Sequence, residues 1–245
     1  MTKMMRRYLL KFFIRLGIFG AIFSIYIYDK QHLRELVVQP ISMGICFMHV
    51  VWLIFMVMML RHLFPGEMVT MALKKLKAKP KPAQEVGMEL EMYRFIQDQN
   101  KKAWMVMLVW LIANSMWGLL YLFHVVDETD LVMLSVFYFV CDYICILFFC
   151  PFQTVIMKNK CCVNCRIFDW GHFMMFTPML FIRNFFSWSL FFTSCVVLIH
   201  WEIKYIKYPE KFWENTNENL KCENCKDRTC KMKKKITSKI TRGTI

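Results

Sequence analysis

Apolar runs alternate with short basic stretches along this chain, and a run of about twenty residues with few or no charges is what an α-helix needs to cross a bilayer. The first run, residues 1–28, begins MTKMMRRYLLKFFIRL and continues GIFGAIFSIYIY. It has the basic start and apolar body of a signal peptide, but no small-residue cleavage site follows, so it predicts an uncleaved first transmembrane helix. Arg15 falls about two turns into that helix and is expected to snorkel to the headgroups. Residues 40–64 (PISMGICFMHVVWLIFMVMMLRHLF) predict the second span, stopped by Pro65-Gly66, with His49 as a neutral histidine satisfied by a backbone carbonyl. Residues 103–125 predict the third span. Residues 131–150 predict the fourth, extended past Pro151 to about Met157. Asp142 is the only charge in that fourth run, and an acid at such depth is expected to face the bundle interior with a partner.

Two stretches break the pattern. In 66–102 the apolar character falls away, with KAKPKPAQ (Lys77 to Gln84) as a proline-broken hinge. Helical spacing at Met68, Met71, Ala72 and Lys75, and again at Val86, Leu90, Tyr93 and Ile96 or Gln97, suits two short helices lying along a membrane surface or packing under the bundle; a plain solvated connector fits equally well. Residues 173–201 (FMMFTPMLFIRNFFSWSLFFTSCVVLIHW) are long enough to cross once, but Pro178 breaks them early and Arg183-Asn184 interrupts them near the middle. This pattern predicts a re-entrant half-helix over 173–182, a polar turn at mid-depth and a return helix. Irregular backbone at that depth must be buried in protein, so Arg183 is expected to pair with Asp142.

Charge decides between the two routes. The chain carries a formal net charge of +14 and is 57% hydrophobic, with 23 Phe and 21 Met. A soluble nucleic-acid binder could be as basic, but its Lys and Arg would not be divided by apolar runs of about twenty residues. The Lys and Arg counts are five in 1–28, two in 29–39, nine in 61–102, none in 124–130, three in 158–172 and twelve in 202–245. Placing both termini, the long loop and 158–172 in the cytoplasm satisfies the positive-inside rule. That placement requires 173–201 to go in and come back.

Cysteine chemistry is the remaining signal. Of eleven cysteines, Cys46, Cys141, Cys145, Cys150 and Cys195 lie in apolar runs and read as small hydrophobes. The other six form two polar blocks, Cys161, Cys162 and Cys165 in KNKCCVNCR, and Cys222, Cys225 and Cys230 in KCENCKDRTC. Cys162-x₂-Cys165 and Cys222-x₂-Cys225 each have the spacing at which two thiolates of a tight turn bind one metal ion, and together they supply a tetrahedral Cys₄ set. Cys161 and Cys230 are alternates. Lys158, Lys160, Arg166, Lys221, Lys226 and Arg228 offset the anionic charge of such a centre. The same thiolates suit zinc or an iron–sulfur cluster, the latter implying electron transfer with a protein redox partner. Thiol–disulfide exchange or lipid attachment at Cys161-Cys162 is a lesser expectation. No Gly-rich phosphate loop, nucleophile elbow or HExxH pattern supports hydrolase or kinase chemistry. A different class remains open, a small-solute transporter in which Asp142, Arg183 and Asn114 line the path and the metal is only a clamp.

At CCVNCRIFDWGHFMMFTP and at YPEKFWENTNENLKCENC (Tyr208 to Cys225) the chain resembles an uncharacterised family of bacterial multi-spanning membrane proteins with paired cysteine blocks. The resemblance covers mainly 158–230. It implies an inner-membrane protein in which the two blocks belong together, and it brings no catalytic residues.

The expected architecture is an all-α polytopic membrane protein of about five transmembrane segments. Its parts are a hairpin over 1–64, a basic loop over 65–102, a hairpin over 103–157, a cysteine loop over 158–172, the re-entrant segment and return helix over 173–201, and a basic tail over 202–245 with Lys231 to Arg242 lying on anionic lipid.

Overall fold

The structure, a computed structural model, describes residues 3–38, 40–42, 45–64, 88–159, 161, 164–221 and 223–224. It is helical apart from one two-stranded ribbon. The elements are α1 (Lys3–Tyr28), α2 (Lys30–Val38), the antiparallel strands β1 (Pro40–Ser42) and β2 (Ile45–Cys46), α3 (Phe47–Leu63), α4 (Glu89–Leu122), α5 (Glu128–Leu147), α6 (Gly171–Phe176) and α7 (Phe185–Lys207). Among the described residues four helices are long and apolar enough to cross a membrane, Met5–Tyr28, Glu89–Leu122, Glu128–Leu147 and Phe185–Lys207; α3, at 17 residues, is shorter.

The outer surface of the bundle explains its composition. Along α4, Trp104, Leu108, Ile112 and Met116 recur every fourth residue and are exposed, while Ala103, Val106, Asn114 and Gly118 line the opposite, buried face. Helix α7 repeats the arrangement, with Phe192, Val196, Ile199 and Ile203 outside and Leu190, Ser194, Val197 and Trp201 inside. Contiguous apolar faces of this size are costly in water and favourable against hydrocarbon.

Helix ends follow local chemistry. Asp127 caps α5, its side chain accepting the Asp130 N–H at 3.1 Å while Asp130 Oδ2 accepts the Asp127 N–H at 2.9 Å. Glu128 and Asp130 in the first turn also complement the helix dipole. Asn184 caps α7 by accepting the Ser187 N–H at 2.9 Å, and Lys204 and Lys207 close its last turn. Helix α4 is continuous where the sequence predicts a break at 102/103. The polar run Gln97 to Lys102 is its amphipathic lower part, with Lys102 paired to Asp98 one turn back. The predicted hinge and first surface helix, at 65–87, lie outside the described residues.

The segment after the cysteine loop travels further than expected. It descends as a 3-10 turn (Arg166–Trp170), α6 and a second 3-10 turn (Thr177–Phe181), with Pro178 in the first positions of that last turn. Arg166 begins beside Asn100 of α4, and Phe181 ends against Gly118. Those positions are 18 residues apart on one helix, about 27 Å at the α-helical rise. The chain then turns at 182–184 and α7 runs back: Trp188 Nε1 donates to the Leu180 carbonyl at 3.2 Å near the turn, and Trp201 Nε1 to the Arg166 carbonyl at 2.6 Å at the other end. Residues 166–181 and α7 therefore run side by side in opposite directions. The turn, however, lies close to the far end of α4 rather than at mid-depth, and the return helix is itself of spanning length.

Candidate functional site

Two polar regions lie at or toward the end of the bundle that carries the cysteine loop. The first surrounds the loop itself. Cys161 and Cys165 are buried, packed with Met157, Trp170, Trp201 and Tyr205. Arg166, next in the chain, bonds Asn100 and Glu202 and lies 4.1 Å from the centre of the Tyr205 ring, while Trp170 Nε1 donates to Glu202 Oε1 at 2.9 Å. These contacts tie the loop to both α4 and the last turns of α7. After α7, Pro209–Phe212 and Glu218–Leu220 form two short turns, held by Asn217 Nδ2 on the Lys211 carbonyl (2.7 Å) and Thr216 Oγ1 on the Glu210 carbonyl (2.6 Å). This folded tail packs Phe212 on Trp201 and Tyr205. Asn164 Nδ2 then donates to the Leu220 carbonyl at 2.9 Å, joining the first cysteine block to the residues just before the second.

Of the six cysteines read as ligands, Cys161 and Cys165 are described. Cys162, Cys222, Cys225 and Cys230 lie outside the described residues. Among the described residues no group of three or more His, Cys, Asp or Glu side chains is set to hold a metal ion.

The second region sits deeper. Asp142 on α5 is paired with Arg15 on α1, at 3.0 Å, and not with Arg183. The reason is register: α1 runs antiparallel to α5, with Tyr8 on Tyr143 near one end and Tyr26 bonded to Asp130 at the other, which brings Arg15 level with 139–143. The guanidinium donates to the Phe139 carbonyl at 2.7 Å and lies 3.9 and 4.0 Å from the ring centres of Phe139 and Tyr143. Arg15 therefore faces inward instead of snorkelling, its side chain 15% exposed. Arg183 stands exposed in the turn before α7, where it needs no buried partner. Asn114 is fully buried, its Nδ2 donating to the Trp110 carbonyl of its own helix at 2.9 Å.

Beside Asp142 lie four residues that sequence reasoning did not join. A Cβ on Gly171 would fall 2.9 Å from Asp142 Oδ1, so the start of α6 is pressed against that carboxylate. Asp169 Oδ2 is 3.6 Å from His62 Nδ1, and the His172 ring is 4.8 Å from the His62 ring, nearly edge-on. Nothing in spacing links His62, in the last turn of α3, to a carboxylate more than a hundred positions away; the available signal was a histidine at the end of an apolar run. His49, at the opposite end of α3, meets a different partner from the one expected. Its Nδ1 accepts the Cys46 backbone N–H at 3.2 Å and lies 2.8 Å from Cys46 Sγ.

Comparison with protein-family models gives no match, and neither curated proteins nor solved structures match the chain.

Proposed function

We propose that the chain is a multi-pass protein of a bacterial inner membrane, with both termini cytoplasmic, whose two cysteine blocks form one Cys₄ metal site. Cys162, Cys165, Cys222 and Cys225 are the ligands, with Cys161 and Cys230 as alternates. In this reading the protein is a membrane-anchored metal-binding or electron-transfer component that works with a protein partner, and zinc or an iron–sulfur cluster fills the site. The observation that carries it is the Asn164 to Leu220 hydrogen bond at 2.9 Å. Cys165 follows Asn164 directly and Cys222 is two residues beyond Leu220; each residue extends the chain by at most about 3.6 Å, so covalent reach alone keeps the blocks neighbours. The same charge rule supports the orientation when applied to the ends of the bundle. Lys158, Arg166, Lys207, Lys211 and Lys221 share the end where α1 begins, whereas Lys30 and Arg183 sit at the other.

Metal analysis with an optical spectrum on anaerobically purified protein tests this, beside Cys165→Ser and Cys222→Ser. One metal equivalent lost in both variants is the expected result. Zinc makes the site a clamp tying tail to bundle, and iron with sulfide and broad visible absorption makes it an electron-transfer centre. Metal lost in only one variant, or none in the parent protein, would sink the shared site.

A further inference from the structure

Beyond the cysteines, the bundle holds an ionisable pair to which neither the fold nor the proposed metal site gives a task. His62 is 92% buried, and its Nδ1 has no hydrogen-bond partner among the described residues. The atom it faces is Asp169 Oδ2, 3.6 Å away, too far for a hydrogen bond and close enough for an ion pair. Asp169 is equally buried. Buried polar groups are almost always bonded, and a carboxylate held out of water needs a counter-charge. Asp142 has one in Arg15 at 3.0 Å. Among the described residues no arginine pairs with Asp169; the charged group that faces it from α7, at longer range, is Lys204.

The surroundings narrow what could fill the gap. His172 on α6 packs against the His62 ring; Asp142, on α5, is within electrostatic reach of His62 and Asp169, and Arg15, on α1, of His172. Asp142 keeps 31% of its side chain accessible although it lies within the bundle. Toward the opposite end the core holds Met59, Leu131, Met175, Phe176 and Met179. The described side chains do not converge as a metal-ligand set. A proton is the ligand that needs only two facing atoms. Placed on His62 Nδ1, it supplies both the missing donor and the missing counter-charge.

We propose that His62 and Asp169 form a proton-binding site, an imidazole–carboxylate pair that takes one proton from water at the cysteine-bearing end of the bundle, with His172 and the Arg15–Asp142 pair behind it. The site serves to balance charge at one end of the protein. None of the cysteines enters the argument, so loss of the metal reading leaves it standing.

Infrared titration of the full chain in lipid nanodiscs, from about pH 4 to pH 9 where imidazole and carboxylate groups exchange protons, is the test. In parent-minus-variant difference spectra, which cancel the other histidines and carboxylates, the proposal expects one carboxylate band and one imidazole ring band that change in a single step. Asp169→Asn should remove the imidazole change along with the carboxylate change, and His62→Gln should do the same in reverse. Each single variant leaves a buried polar group alone and can fail to fold. The double replacement His62→Leu with Asp169→Leu removes both groups together, and its spectrum should lack both bands. An imidazole step that survives in Asp169→Asn, a carboxylate step that survives in His62→Gln, or a double variant that titrates like the parent overturns the proposal.

Discussion

Arg15 shows how a single charge is made tolerable inside an apolar bundle. Its guanidinium has a carboxylate at 3.0 Å, a carbonyl at 2.7 Å and two aromatic faces within 4.0 Å, so its charge and its flat surfaces are both matched. Removing one partner strands the other. Arg15→Leu is expected to cost about 3 kcal/mol, because an unpaired buried carboxylate is penalised far more than the pair contributes. Arg15→Leu with Asp142→Leu should regain most of that loss. Thermal or denaturant unfolding in detergent checks both, and a double variant no more stable than Arg15→Leu would show that the pair is not the energetic unit. That Asp142 needs a partner was legible from the sequence, since a lone acid in an apolar run has few alternatives. Which arginine answers it was not, because the choice depends on the register of α1 against α5, and both faces of those helices read alike in an apolar run.

The arm over 166–181 is the element that sets the architecture, and it is irregular by composition. Pro178 and the alternation of 3-10 and α turns leave it without a uniform ladder, so it must be enclosed: Met175, Phe176 and Met179 are buried between α3, α5 and α7. Its far end is fitted to α4 by the absence of a side chain. A Cβ on Gly118 would lie 2.3 Å from the Phe181 ring, well inside contact distance. Gly118→Ala should therefore cost about 1–3 kcal/mol as an overpacked site, although alanine is the better helix former. Replacing Phe181 by Leu in the same chain should relieve it. An alanine variant at least as stable as the parent would mean that α4 and the arm are not in close contact. Proline and the Arg-Asn pair correctly signalled a broken segment, but depth was misjudged. The sequence shows where a helix is interrupted and carries no measure of how far 3-10 turns, which rise about 2 Å per residue, extend the chain before it reverses.

At the scale of the molecule the decisive relation is that the chain leaves and re-enters the same end through 166–207. Charge counting required it, since a single crossing would have separated the twelve-charge tail from the other basic stretches. The structure supplies the physical means: an arm and a helix side by side, bonded near the turn through Trp188 and at the base through Trp170, Trp201 and Glu202. A membrane-impermeant thiol reagent can read the consequence, measured against the unsubstituted chain to subtract its own cysteines. Cysteines introduced at the exposed positions Lys158 and Glu214 should label from one side of sealed vesicles, and those at Val125 and Arg183 from the other. The pairing of 158 with 214 is the discriminating result, because only a returning segment places both on one face. If 214 labelled with 125 and 183 instead, α7 would be a terminal crossing and the hydrogen bond between Asn164 and Leu220 could not exist in the membrane. With it would go the reason to think that the two cysteine blocks serve one metal.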